Sequence, residues 1–188
     1  MTNIAIVGYG YWGPNLVRNF NAIDGCTVKW VADLRAERLS TLSRSYPSIW
    51  TTGNLDDLYN EPELHAIVVA TAVHTHYPIA KRALELGKHV LLEKPMTQSV
   101  AEAEELVALS KEKGLTLMVD HTFLYTGAVQ KIKELIDSGE LGAIEYFDST
   151  RINLGLFQQD INVLWDLAPH DISILFHLID ERPVSVCA

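Results

Sequence analysis

The run Gly8-Tyr9-Gly10-Tyr11-Trp12-Gly13 restricts what this chain can fold into more than any other feature. It follows an apolar, strand-like segment (Ile4-Ala5-Ile6-Val7). It precedes residues 13–23, whose apolar side chains recur three and four apart, so the glycines fall on a strand-to-helix turn. Each glycine there has its own task. The first permits the tight turn, the second lets the backbone approach a pyrophosphate, and the third lets the helix pack closely on the strand. The start of the helix adds N–H groups without intrahelical partners and a partial positive charge. Asp33, at the end of the second expected strand and 20 residues after Gly13, is placed to accept hydrogen bonds from ribose hydroxyls. Glycines after a strand are often turn residues and nothing more, but here strand, helix and acid coincide, which points to a dinucleotide. The Asp33 carboxylate disfavours a 2′-phosphate and so favours NAD. Leu34 and Arg35 follow in the same loop, and an arginine there is able to grip such a phosphate, which keeps NADP as the alternative. Tyr11 and Trp12 either cover a cofactor or pack, and the sequence leaves both open.

The rest of the chain repeats the same alternation. Strands are expected at residues 3–8, 27–33, near Ile49, 66–70, 89–93 and 115–120, with crossover helices at 13–23, 35–45, 76–86 and 100–113. Gly87 and Gly114 stand where helices end in a left-handed residue, and Ser99 is an N-cap candidate. A helix is expected over 127–137. The texture then changes, with an alternating strand over 143–152, a polar loop over 153–162, a helix over 168–179 with Pro169 in its first turn, and a strand over 183–187. The expected fold class is α/β, a Rossmann-type doubly wound parallel sheet over residues 1–122, followed over 123–188 by the start of an α+β substrate domain.

Composition removes several function classes. The longest apolar stretches, such as 66–73, fall far short of the roughly 20 residues that span a bilayer, so no membrane helix is expected. The chain enters a strand at once without a secretory signal pattern, which points to the cytoplasm. A formal net charge of −9 opposes nucleic-acid binding. Cys26 and Cys187 have neither disulfide nor zinc spacing and read as small buried hydrophobes, and the histidines have no metal-ligand spacing.

Further motifs fall at later strand ends. Ala70-Thr71 closes the fourth strand with His76 after it, and Gly87-Lys88-His89-Val90-Leu91-Leu92-Glu93-Lys94-Pro95 closes the fifth. With the glycine run and Asp166-Leu167-Ala168-Pro169-His170, these resemble the Gfo/Idh/MocA family of sugar-type oxidoreductases along nearly the whole chain. The stretch from Arg151 to His170 resembles the branch acting on nucleotide-linked sugars, similar to UDP-N-acetylglucosaminuronate 3-dehydrogenases. The resemblance implies an NAD-dependent hydride transfer at a sugar ring carbon, plausibly C3 of a nucleotide sugar. It also implies cofactor contacts from Thr71, His76, Glu93 and Lys94, and proton transfer by Lys94 and His170. Two departures stand out: Ala72-Val73 replaces the usual Pro-Asn, and Asp120-His121-Thr122-Phe123 replaces a Gly-aromatic-Asn-Arg run.

Physical reading of these residues is compatible with that chemistry. Ligands of open α/β sheets bind beyond the carboxyl ends of the strands, where Thr71, Glu93 and Lys94 fall. Taken alone, Lys94 reads as a solvated turn residue; at that edge its ammonium is able to polarise a hydroxyl or carbonyl oxygen. Most X–Pro bonds are trans; a cis Lys94–Pro95 bond is the hypothesis that would fix the lysine's direction. Asp166 and His170 are four apart and share one helix face, which suits an oriented proton acceptor, although an Asp N-cap with an incidental histidine is equally open. His65 and His89 read as surface or strand-end residues and His177 as partly buried. Members of the family carry a much longer second domain, so the chain reads as a truncated product, a segment of a longer enzyme, or a short form that pairs with another chain. A homo-oligomer is expected if the second sheet is completed. A noncatalytic NAD-binding remnant or sensor, and an NADP-dependent sugar ketoreductase, are the alternatives.

Overall fold

The computed structural model describes residues 1–152 and 161–187. The chain divides into two compact units, Met1–Asp120 and His121–Ala188. The first holds a six-stranded, all-parallel sheet. In chain order its elements are β1 (Thr2–Val7), α1 (Gly13–Asn21), β2 (Cys26–Ala32), α2 (Ala36–Ser45), β3 (Trp50–Thr52), α3 (Leu55–Tyr59), β4 (Ala66–Val69), α4 (His76–Glu85), β5 (His89–Leu92), α5 (Val100–Lys113) and β6 (Leu117–Val119). Spatial order is β3-β2-β1-β4-β5-β6, the reversal between β1 and β4 opening a crevice at the carboxyl edge.

Side-chain alternation along each strand feeds two cores. Ala5, Val7, Ile67, Val69, Val90 and Leu92 point to the face covered by α3, α4 and α5, where Leu58, Ala80, Leu84 and Leu106 meet them. Ile4, Ile6 and Val68 point the other way, onto Leu16 and Val17 of α1 and Leu42 of α2. The register of β1 on β2 shifts between Ile4, opposite Val28, and Ala5, opposite Trp30. That irregularity skips Lys29 and lets Val28 and Val31, an odd distance apart, share one core.

Elements end close to where the sequence places them, for identifiable reasons. Ser99 accepts a bond from the Glu102 N–H while Glu102 reaches back, a complete capping box, and Gly114 closes α5 in the left-handed conformation. At the other edge of the sheet, His65 Nδ1 accepts the Asn3 N–H and His89 Nδ1 the Thr116 N–H, both at 2.9 Å, so these two histidines are strand-end acceptors.

The second unit holds α6 (Gly127–Asp137) and α7 (Val163–Leu178), packed together and onto a 3-10 turn over Thr122–Tyr125. Several expectations are corrected here. Residues 143–152 and 183–187 are not strands: an extended segment becomes one only when a neighbour pairs with its N–H and C=O groups, and among the described residues none does. Helix α7 begins at Val163 rather than near 168, because Asn162 accepts the Trp165 N–H as its cap; Pro169 therefore lies inside the helix. Of the expected loop over 153–162, residues 153–160 lie outside the described residues. Cys187 is exposed and Cys26 half-buried, so the expectation of two buried hydrophobes fails at Cys187 and holds only in part at Cys26. Among the described residues no helix is long and apolar enough to cross a membrane.

Removing side chains from these cores gives graded losses. Ile67→Ala, at a fully buried position of β4, is expected to cost about 2–5 kcal/mol, and Ser99→Ala about 1 kcal/mol, read from urea unfolding midpoints. Equal losses would contradict this packing.

Candidate active site

The crevice at the carboxyl edge begins with Gly8, whose φ of +97° is open to glycine. A Cβ there would lie 2.5 Å from the Ala70 carbonyl oxygen, because the turn after β1 passes directly over the end of β4. A Cβ on Gly13 would lie 2.5 Å from the Gly8 oxygen, so α1 starts tight against the turn. Gly10 differs: its Cβ would meet the Arg38 guanidinium at 3.3 Å, the far end of a flexible side chain. Two glycines thus serve the backbone, and the third leaves room beside the Arg38 side chain. α1 starts without a side-chain cap, leaving its positive end to other partners. Tyr11 and Trp12 project outward in an edge-to-face pair with centroids 5.7 Å apart, both exposed.

Asp33 is wired to this turn. Its carboxylate accepts the Tyr9 N–H at 2.7 Å and the Arg35 N–H at 2.8 Å. Arg38 Nη1 lies 3.4 Å from the same carboxylate. Leu34 is exposed, and Arg35 lends the acid its backbone N–H, its residue being exposed. Sequence reasoning missed Arg38, which sits against both Asp33 and Gly10. The available signal was its position in the first turn of α2, where the chain has just turned back from Asp33.

The ends of β4 and β5 are joined by His76. It is buried, with Nδ1 3.0 Å from the Pro95 carbonyl oxygen and Nε2 3.0 Å from that of Thr71. A neutral ring donates to one of these and a protonated ring to both. Burial pulls its pKa below the ordinary value against the raising effect of the carbonyls. Both ring nitrogens lie against backbone carbonyls, so the buried ring ties the loops after β4 and β5 together. Thr71 shares a hydroxyl hydrogen bond with Thr75 at 2.6 Å, at the foot of a 3-10 turn that the sequence did not reveal. The Lys94–Pro95 bond is cis, as hypothesised. Glu93 and Asp120 follow the paired ends Leu92 and Val119 of neighbouring strands. Burial, and then the Asp120 charge, push the Glu93 carboxyl up to about 7, against the Lys94 N–H and ammonium.

In the second unit, Asp166 lies in the first turn of α7, and His170, one turn later on the same face, is buried. The His170 ring meets the Phe123 ring at a 4.7 Å centroid distance and 72°.

A model of the oxidoreductase family with an NAD-binding Rossmann fold, named for its Gfo, Idh and MocA members, matches residues 2–121. The chain belongs to the Gfo/Idh/MocA family. This Gfo/Idh/MocA chain is 31% identical over 181 residues to the uncharacterized oxidoreductase YdgJ of Escherichia coli K12, covering 89% of itself and 50% of that protein. It is 29% identical over 191 residues to a UDP-N-acetylglucosamine 3-dehydrogenase of Acidithiobacillus ferrooxidans, covering 97% of itself and 56% of the relative. The solved structure of GenD2 from gentamicin A biosynthesis, in complex with NAD, superposes with a TM-score of 0.71 at 29% identity, over 74% of this chain and 40% of that one. The chain spans about half the length of the curated relatives it matches.

The shifted Glu93 carboxyl has a consequence for stability. Folded Glu93 keeps its proton up to about pH 7, whereas the unfolded chain releases it near the ordinary value of 4.5. The stabilisation is therefore complete below the ordinary value and lost as pH rises through about 7. Glu93→Gln should gain stability relative to wild type between about pH 5 and about pH 8, measured by denaturant unfolding at both. A difference independent of pH would show that Glu93 ionises normally.

Proposed function

We propose that this chain supplies the cofactor site and acid–base groups of an NAD-dependent sugar oxidoreductase that moves hydride between a ring carbon, C3 of a nucleotide sugar, and nicotinamide. The observation that carries the reading is the glycine turn itself: Cβ atoms on Gly8 and Gly13 would strike backbone, and the Asp33 carboxylate is bonded to Tyr9 in the same turn. Its residues fit a dinucleotide. Gly8, Gly10, Gly13 and the start of α1 would hold the pyrophosphate, and Asp33 the adenosine ribose, with Arg35 and Arg38 nearby. Thr71, Glu93 and Lys94 would line the nicotinamide end, at the carboxyl edge of β4 and β5. When bound, nicotinamide accepts or returns the hydride.

The chain's own groups do the rest. The Lys94 ammonium polarises the reacting oxygen and stabilises charge as it develops there. His170, oriented by Asp166, accepts the hydroxyl proton in oxidation and returns it in reduction, a task suited to an imidazole nitrogen. The C3 nucleotide-sugar assignment rests on the 151–170 pattern and on similarity to the UDP-N-acetylglucosamine 3-dehydrogenase. NAD is favoured over NADP because a 2′-phosphate would meet Asp33, which Arg38 only partly balances at 3.4 Å.

Calorimetric titration tests this. NADH should bind more tightly than NADPH, and Gly10→Ala should weaken NADH about tenfold or more while leaving the melting temperature nearly unchanged. With NAD+ and UDP-sugars, Lys94→Ala and His170→Gln should each lower turnover by roughly 10²–10⁴. Binding without turnover would favour a noncatalytic module; no heat with any nicotinamide nucleotide would end the proposal.

A further inference from the structure

The reading above leaves one part of the second unit unused. The Arg151 guanidinium makes a two-point contact with Asp171: Nε to Oδ2 at 2.8 Å and Nη2 to Oδ1 at 3.2 Å. Ser149 Oγ donates to the same carboxylate at 2.7 Å. The guanidinium carbon also stands 4.9 Å from the centroid of the Phe123 ring. Phe123 in turn meets His170 edge-to-face. One cation therefore touches both the acid next to His170 in the chain and the ring packed against it. The pair is sheltered, with Arg151 and Asp171 side chains only 22% and 26% exposed, so its charges are less screened than those of a surface pair.

We infer that Arg151 is a positioning residue for His170: through Phe123 it holds the imidazole plane, and through Asp171 it cancels a carboxylate that would otherwise keep the ring protonated. This rests on the proposed role of His170 as proton acceptor. A proton acceptor needs a nitrogen lone pair, and an uncompensated carboxylate beside an imidazole favours the protonated ring, which has none. Asp171 lies within electrostatic reach of His170, and Arg151, chiefly, holds its carboxyl below the usual range. Asp166, assigned above to orient the imidazole, lies one turn earlier on α7. His177 lies seven residues further along α7. On α6, packed against it, Lys131 pairs with Glu134 and Lys133 with Asp137, so these charges are largely balanced among themselves. The Phe123 contact adds a geometric restraint, since a cation over an aromatic face fixes that face, and the edge-to-face pair limits rotation of the imidazole.

The test is a nuclear magnetic resonance titration of the histidines in the 188-residue chain, with the His170 signal identified by its loss in His170→Gln. Arg151→Gln removes the positive charge and should tighten proton binding at His170 about three- to tenfold. Asp171→Asn removes the negative charge and leaves Arg151, so it should loosen binding by a similar factor. The double variant should return close to wild type. Loss of packing alone would displace the two single variants in the same direction, and thermal melting of each shows whether it remains folded. Arg151→Lys keeps the charge but not the planar contact; it should leave the titration midpoint in place while changing the ring-current shift that Phe123 imposes on His170. Midpoints of Arg151→Gln and Asp171→Asn that match wild type, or move in the same direction, overturn the inference. Full turnover by His170→Gln would instead remove the proton-acceptor reading, an outcome the titration does not depend on.

Discussion

The backbone of Gly8 crosses the Ala70 carbonyl so closely that one methyl carbon would stand 2.5 Å from its oxygen. This close approach brings the turn after β1 down onto the end of β4, at the point where the strand order reverses. Everything assigned to the cofactor follows from it. α1 can start immediately beyond the sheet because Gly13 fits against the Gly8 oxygen, and Tyr9 is brought to the Asp33 carboxylate. A side chain at either glycine would lift the turn and move the helix start away from the crevice. The two cores beneath are ordinary alternating-strand packing; they hold the edge level and contribute no chemistry themselves.

Along that edge, polar groups work in pairs of loops. His76 spans from the Thr71 carbonyl to the Pro95 carbonyl, so the loops after β4 and β5 are held by one buried ring. Glu93 and Asp120 end neighbouring strands, and desolvation with like charge keeps the Glu93 carboxyl protonated far above its ordinary range. His76 and Glu93 carry the same expectation in the sequence; in the fold one braces two loops through its ring nitrogens and the other has the strongly shifted ionisation. Both results depend on burial, which no motif spells out.

Legibility was highest where the physics is local. The strand–turn–helix at residues 3–23, the capping box at Ser99 and Glu102, and α6 at Gly127–Asp137 each depend on residues a few positions apart, and each lies where the sequence places it. It was lowest where the deciding group is distant or absent from the described residues. The alternation over 143–152 is a true strand pattern, but a strand forms only with a partner to bond. Arg38 is not legible in the sequence because its importance comes from standing beside Gly10, 28 residues earlier. The start of α7 is set by Asn162, whose side chain caps the helix, and not by Pro169, which the helix accommodates in its interior.

By itself the sequence determined that a parallel, doubly wound sheet would present a glycine turn, an acid and a lysine at its carboxyl edge, because periodicity and glycine placement act through neighbouring residues. Only the tertiary structure decided which polar groups face that edge and which are spent on backbone carbonyls, and that Arg151 and Phe123 gather at His170. Such choices depend on burial and on charges brought together from distant parts of the chain, and those distances exist only after the chain has folded.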